Sequence, residues 1–170
     1  MRHPSQRQRN VSAHRRVSQR GHYMLETALA ILPLLALALA IVDFAVPIFL
    51  RAVFTNAVRE GVRYAITYQT ASGKTHANSI KDVVQQNAMG FLDGGQGQQK
   101  ISVKFYSPVT FAEVTGGNAN ADGNIVEVSI RGYSWGWILP LWRSGNPLTI
   151  NAASADRLET LPRSSARPAP

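Results

Sequence analysis

Gly73-Lys74-Thr75 has the ending of a phosphate-binding loop, in which backbone amides cradle a phosphate and the lysine reaches it. The first glycine of that pattern would fall at Tyr68, so the cradle is missing and the segment reads as a turn. Asn118-Ala119-Asn120-Ala121-Asp122-Gly123 has the spacing that opens a calcium loop. Its first ligand is an amide, however, and its twelfth position is Ser129, where calcium needs both oxygens of a glutamate. A hairpin turn at Asp122-Gly123 is the simpler reading. His3, His14, His22 and His76 are scattered without zinc-site spacing, and cysteine is absent, which removes thiolate and disulfide chemistry. There is no nucleophile elbow and no paired-carboxylate site. The expectation is therefore a protein that is not an enzyme, with no catalytic residues, no metal and no cofactor.

One carboxylate stands out. Glu26 lies at the mouth of a long apolar segment, five residues after Gly21. Residues 28–42 carry no charge, and adding Met24 to Thr27 gives about 19 residues, or roughly 28 Å of helix, near one hydrocarbon thickness. On that placement Glu26 sits near one membrane interface and Asp43 near the other, which spares both the bilayer centre, where an acid costs roughly 2.5–3.5 kcal/mol. Pro33 is tolerated in such a helix.

The charge of +8 is uneven. Arg2, Arg7, Arg9, Arg15, Arg16 and Arg20 precede Gly21 with no acid among them, whereas the chain from His22 onward holds twelve basic and ten acidic residues. Arginines before a span keep the N-terminus cytoplasmic and send the remainder outward. A basic arm can also bind nucleic acid. This one lacks a recognition helix and interleaved aromatics, and topology with anionic lipid explains its arginines, so no nucleic acid is expected. A cleaved secretory signal is a rival, because Ala28-Leu29-Ala30, Ala36-Leu37-Ala38 and Ala38-Leu39-Ala40 have the small-x-small pattern. Against it, a glutamate opens the apolar region, and apolar character resumes over 44–50.

Past the span the helical period continues. Phe49, Val53, Ala57, Gly61 and Ala65 are spaced by four, opposite a row of Arg51, Thr55, Arg59 and Arg63. The small residues Ala57, Gly61 and Ala65 would let another backbone approach closely. The helix should end near Tyr68. A second helix is expected over Ser79–Leu92 with Ile80, Val83, Val84 and Phe91 on one face, stopped by Gly94-Gly95. Strands are expected at Lys100–Phe105, Ile125–Arg131 and Leu148–Ala155. The fold class that results is α+β: a long N-terminal transmembrane and amphipathic helix packed on a small antiparallel sheet, with a second helix. The expected parts are a basic cytoplasmic segment (1–21), the long helix (22–68), a small α+β domain (69–160) and a disordered tail (161–170). Tyr133, Trp135 and Trp137 alternate, with Trp142 nearby. They either complete the sheet's core or offer a partner or membrane contact through Trp135, Trp137 and Trp142.

Several motifs in order resemble a known family. Arg20-Gly21 with Glu26 and Ala28 resembles a type IV prepilin processing site. Leu32-Pro33-Leu34-Leu35, Ile41-Val42-Asp43-Phe44 and the block Asn56-Ala57-Val58-Arg59-Glu60-Gly61-Val62-Arg63-Tyr64-Ala65 are similar to TadE-like minor pseudopilins of the tight-adherence (Flp/Tad) pilus system. The resemblance is specific from Gly21 to Ala65 and architectural beyond, where it implies a pilin-like layout. It implies a non-catalytic assembly component in the bacterial inner membrane, single-pass, with its C-terminal domain periplasmic or extracellular. A prepilin peptidase would cut between Gly21 and His22, and Glu26 would pair with the new α-amino group of the same or a neighbouring subunit. The implied partners are other pilins or pseudopilins, the prepilin peptidase, the inner-membrane assembly platform and the lipid bilayer. The alternative is an uncleaved bitopic envelope protein with a basic arm and an exported interaction domain.

Overall fold

The computed structural model describes residues 11–137, 147–160 and 168–170, with side chains from Gly21 onward. Helix α1 spans Val11–Ile66, α2 His76–Asn87 and α3 Gly95–Gln99; strands β1, β2 and β3 span Ile101–Tyr106, Ile125–Trp135 and Leu148–Arg157. The chain divides into two compact units, Met1–Asp43 and Phe44–Pro170.

The first unit is helix. Ala and Leu dominate from Ala28 to Ala40, and both favour helix. Nearly every side chain there is exposed. Among the described residues this is the one helix long and apolar enough to cross a membrane, with a best-window mean hydropathy of 2.6. The helix starts at Val11, before the expected His22, so Gly21 and His22 lie inside it.

The second unit is built on the rest of α1. Leu50, Phe54, Ala57, Val58, Val62 and Ala65 face the core, while Arg51, Arg59 and Arg63 stay exposed. The helix ends where Tyr68 adopts φ +53° and its amide donates to the Ala65 carbonyl. Helix α2 opens on an N-cap: Thr75 Oγ1 accepts from the Asn78 amide at 3.3 Å. It therefore starts three residues before the expected Ser79 and stops at Asn87, leaving Phe91 in the following turn and not on the helix face. The turn leads into α3, whose sequence Gly-Gln-Gly-Gln-Gln has no apolar period and was expected only as a stop.

The sheet is antiparallel in the order β1-β2-β3. Ile101, Val103 and Phe105 pair with Ile130, Val128 and Val126, and these six side chains form the face turned to the helices. Between Ile130 and Tyr133 the register with β3 shifts by one residue, with Gly132 at φ +70° and its amide donating to Asn151 Oδ1 at 2.8 Å. Such a bulge changes the phase of the pleat. Even-numbered Val126, Val128 and Ile130 and odd-numbered Tyr133 and Trp135 consequently pack on the same core. The bulge also carries β2 four residues past its expected end at Arg131, and β3 runs two past Ala155. Residues 161–167 lie outside the described residues. The end of the expected disordered tail is ordered: the Ala169 carbonyl accepts from the His76 amide at 2.9 Å, and the Pro168 carbonyl accepts from Asn120 Nδ2 at 2.7 Å.

Candidate functional site

Gly21, His22 and Glu26 all lie within α1 and are all exposed. A methyl group added at Gly21 would meet nothing within 4 Å. Glu26 makes no ion pair among the described residues. A protease binds its substrate as an extended strand, so a cut after Gly21 requires local unwinding. Glycine lowers the cost, because it disfavours helix by about 0.8–1 kcal/mol relative to alanine. Glu26 lies five residues, and about 7.5 Å of helix rise, beyond that bond.

The stripe Ala57, Gly61 and Ala65 is buried inside the second unit. A Cβ on Gly61 would stand 2.5 Å from Val84 Cγ2 and 3.4 Å from Val128 Cγ1. The elements that come close to the stripe are thus α2 and β2 of the same chain.

The aromatic cluster divides. Tyr133 meets Phe54 edge-on with ring centroids 4.8 Å apart, and Trp135 packs beside it on the core with its indole Nε1 buried and without a hydrogen-bond partner. Trp137 is half-buried, edge-on to Phe44 at 5.7 Å. Trp142 lies outside the described residues.

His76 was passed over in the sequence because no other ligand accompanies it. The fold buries it completely, stacked between Tyr68 at 5.8 Å and Phe105 at 6.3 Å. Neither ring nitrogen makes a well-formed hydrogen bond. Burial holds its pKa below the usual 6.5, partly offset by the nearby Ala65 carbonyl. Only the stacking order of Tyr68 and Phe105, which is tertiary, could have revealed this. Asn118, Asn120 and Asp122 do not converge as ligands: Asn120 binds the Pro168 carbonyl and Asp122 Oδ1 accepts from the Tyr68 hydroxyl at 3.1 Å. Among the described residues no group of three or more His, Asp or Glu is placed to hold a metal ion.

What remains as the functional region is α1 itself, with its exposed apolar half, its carboxylate and its buried small-residue half. The family model described as TadE-like protein matches residues 21–63. Residues 21–63 are similar to that family. The match covers about a quarter of the chain, opens on Gly21 and closes on Arg63, and lies entirely within helix α1. No curated protein and no solved structure matches the chain. The match falls on the helix that is long and apolar enough to cross a membrane.

Proposed function

We propose that this protein is a minor pseudopilin, a non-catalytic, membrane-anchored assembly component of a Tad/Flp-type pilus or a related secretion machine. The observation that carries the reading is the TadE-like match, which takes in Gly21, Glu26 and the Asn56–Arg63 block on one helix. In this reading the arginines before Gly21 hold the N-terminus in the cytoplasm, the apolar half of α1 crosses the inner membrane, and the domain after it faces the periplasm or the exterior. A prepilin peptidase cuts after Gly21. The new α-amino group of His22 then lies about one helical turn from Glu26, where it pairs with that carboxylate or with a neighbouring subunit's. The pairing offsets the cost of carrying a lone acid into an apolar helix bundle. Other pilins, the peptidase, the assembly platform and the bilayer are the partners.

The continuity of α1 through Gly21 favours a second reading, an uncleaved bitopic envelope protein. Sequencing the N-terminus of membrane-purified material separates them: His22 supports processing, Met1 supports an uncleaved anchor, and a start near Ile41 supports a secretory signal. For the carboxylate, Glu26→Ala should abolish incorporation into the assembly while leaving membrane insertion intact. Normal assembly of that variant would remove Glu26 from the mechanism.

A further inference from the structure

The Phe44–Pro170 unit has apolar side chains that its core does not use: Val109 and Phe111 in the loop after β1, and a second group where the chain enters the unit. On α1, Phe44 is 52% exposed, Ile48 70% and Phe49 48%. The turn after α2 adds Phe91, 37% exposed, which meets Phe49 edge-on at 6.4 Å. Trp137 joins from the end of β2 through its edge contact with Phe44. Three separate segments therefore deliver apolar groups to one level of the helix. Phe44 to Phe49 covers about 7.5 Å of rise, close to the roughly 5–7 Å of one headgroup layer.

The turn holds these groups outward. Leu92 is fully buried, and Gln85 Nε2 donates to its carbonyl at 2.9 Å. The Phe91 amide donates to the Ala88 carbonyl at 3.1 Å, and Met89 is held at φ +53°, a conformation that non-glycine residues rarely adopt. The charge that breaks the apolar sequence is also withdrawn, since Asp43 is 1% exposed. After Glu26, the next exposed charge along α1 is therefore Arg51.

We propose that Phe44, Ile48, Phe49, Phe91 and Trp137 form a collar that lies in the headgroup layer of the bilayer from which the domain emerges. Lipid is the occupant because the collar follows directly, in sequence, on the apolar segment that crosses the membrane. Aromatic side chains also favour that layer. The domain is then seated on the lipid as well as tethered to it, which fixes the direction in which it presents its sheet. The proposal rests on the reading of α1 as a membrane span.

The absence of cysteine makes the test direct. Single variants Ile48→Cys, Phe91→Cys, Leu34→Cys and Val109→Cys of the full chain are labelled with nitrobenzoxadiazole in nanodiscs of phosphatidylethanolamine and phosphatidylglycerol. Val109 is the aqueous control: it is 83% exposed and follows Tyr106, which pairs with Ile125 at the opposite end of β2 from Trp135. The expected result is quenching of the 48 and 91 labels by a shallow nitroxide lipid and of the 34 label by a deep one, with iodide quenching at 48 and 91 several-fold weaker than at 109. Iodide quenching at 48 and 91 equal to that at 109, with the 34 label still quenched by the deep nitroxide lipid, would overturn the collar and leave the span standing. Protection confined to discs that hold two copies would overturn it in favour of subunit contact. Loss of lipid quenching at 34 would remove the span and the collar together.

Discussion

Two stretches of α1 use the same side chains in opposite ways. Leu25, Leu29, Leu32 and Leu34 are 67–72% exposed, whereas Leu50, Phe54 and Val58 are fully buried. What separates them is the spacing of polar residues. From 28 to 42 the helix is apolar all round, so no face is distinguished and lipid is the solvent that suits it. From 51 onward Arg51, Thr55, Arg59 and Arg63 occupy one row, and the opposite row meets a protein core. Hydropathy alone says that both stretches leave water; periodicity says where each one goes.

The sharpest way to break this contrast is a matched pair of truncations. Phe54→Ala removes a fully buried ring that meets Tyr133 and should cost about 3–5 kcal/mol. Leu34→Ala should leave the domain's stability within about 0.5 kcal/mol, since its side chain touches no core. Urea unfolding of the full chain in nanodiscs, read by tryptophan fluorescence, measures both. Equal losses would mean that the two halves of α1 are stabilised in the same way.

The next pair compares two glycines. Gly61→Ala forces a methyl group to within 2.5 Å of Val84 Cγ2, and a β-branched side chain has little room to turn away. A loss of about 1–3 kcal/mol is expected in the same unfolding measurement. Gly21→Ala meets nothing within 4 Å and should leave domain stability unchanged, its effect falling on N-terminal processing. A stability loss at Gly21, or none at Gly61, would erase the distinction.

These contrasts also mark what the sequence could say. The amphipathic row from Val53 to Ala65, the end of α1 at Tyr68 and the cores of all three strands were legible, because each rests on a local period or stop; Phe49, expected on the same row, is half-exposed. The small residues Ala57, Gly61 and Ala65 were legible as a place of close approach, but their occupants, Val84 and Val128, are distant in sequence. The bulge at Gly132 was not legible. Its signal is a change of pleat phase between Ile130 and Tyr133, which shows only once β3 fixes the register. Helix α3 escaped because glutamine and glycine carry no apolar period. On the candidate site, the order Gly21, Glu26 and the Asn56–Ala65 block was legible as a motif, and the family match falls on it. The burial of Asp43 and His76 was not, since a lone polar residue gives no sign of what will cover it.

At neutral pH the smallest effect belongs to His76, which is neutral there in the folded and unfolded chain alike. Its folded pKa lies below the ordinary 6.5, so the unfolded chain takes up a proton first as pH falls. Stability from this residue is therefore fully present above about pH 6.5 and is lost as the pH drops toward the folded value. Tyr68, whose hydroxyl donates to Asp122, and Phe105 stack on the ring, and the Ala65 carbonyl lies near it and offsets part of the cost of burying an imidazolium. His76→Phe keeps an aromatic ring in the stack and removes the proton. Unfolding midpoints of both proteins between about pH 5 and 8 should run level near the upper limit and separate toward the lower one, with the parent chain weakening more. The Ala169 carbonyl is held by the His76 backbone amide, so this contact should survive the substitution. Parallel curves would show that the buried imidazole finds a compensating partner when it is charged, and the contrast between a lipid-facing and a core-facing half of the molecule would then owe nothing to this residue.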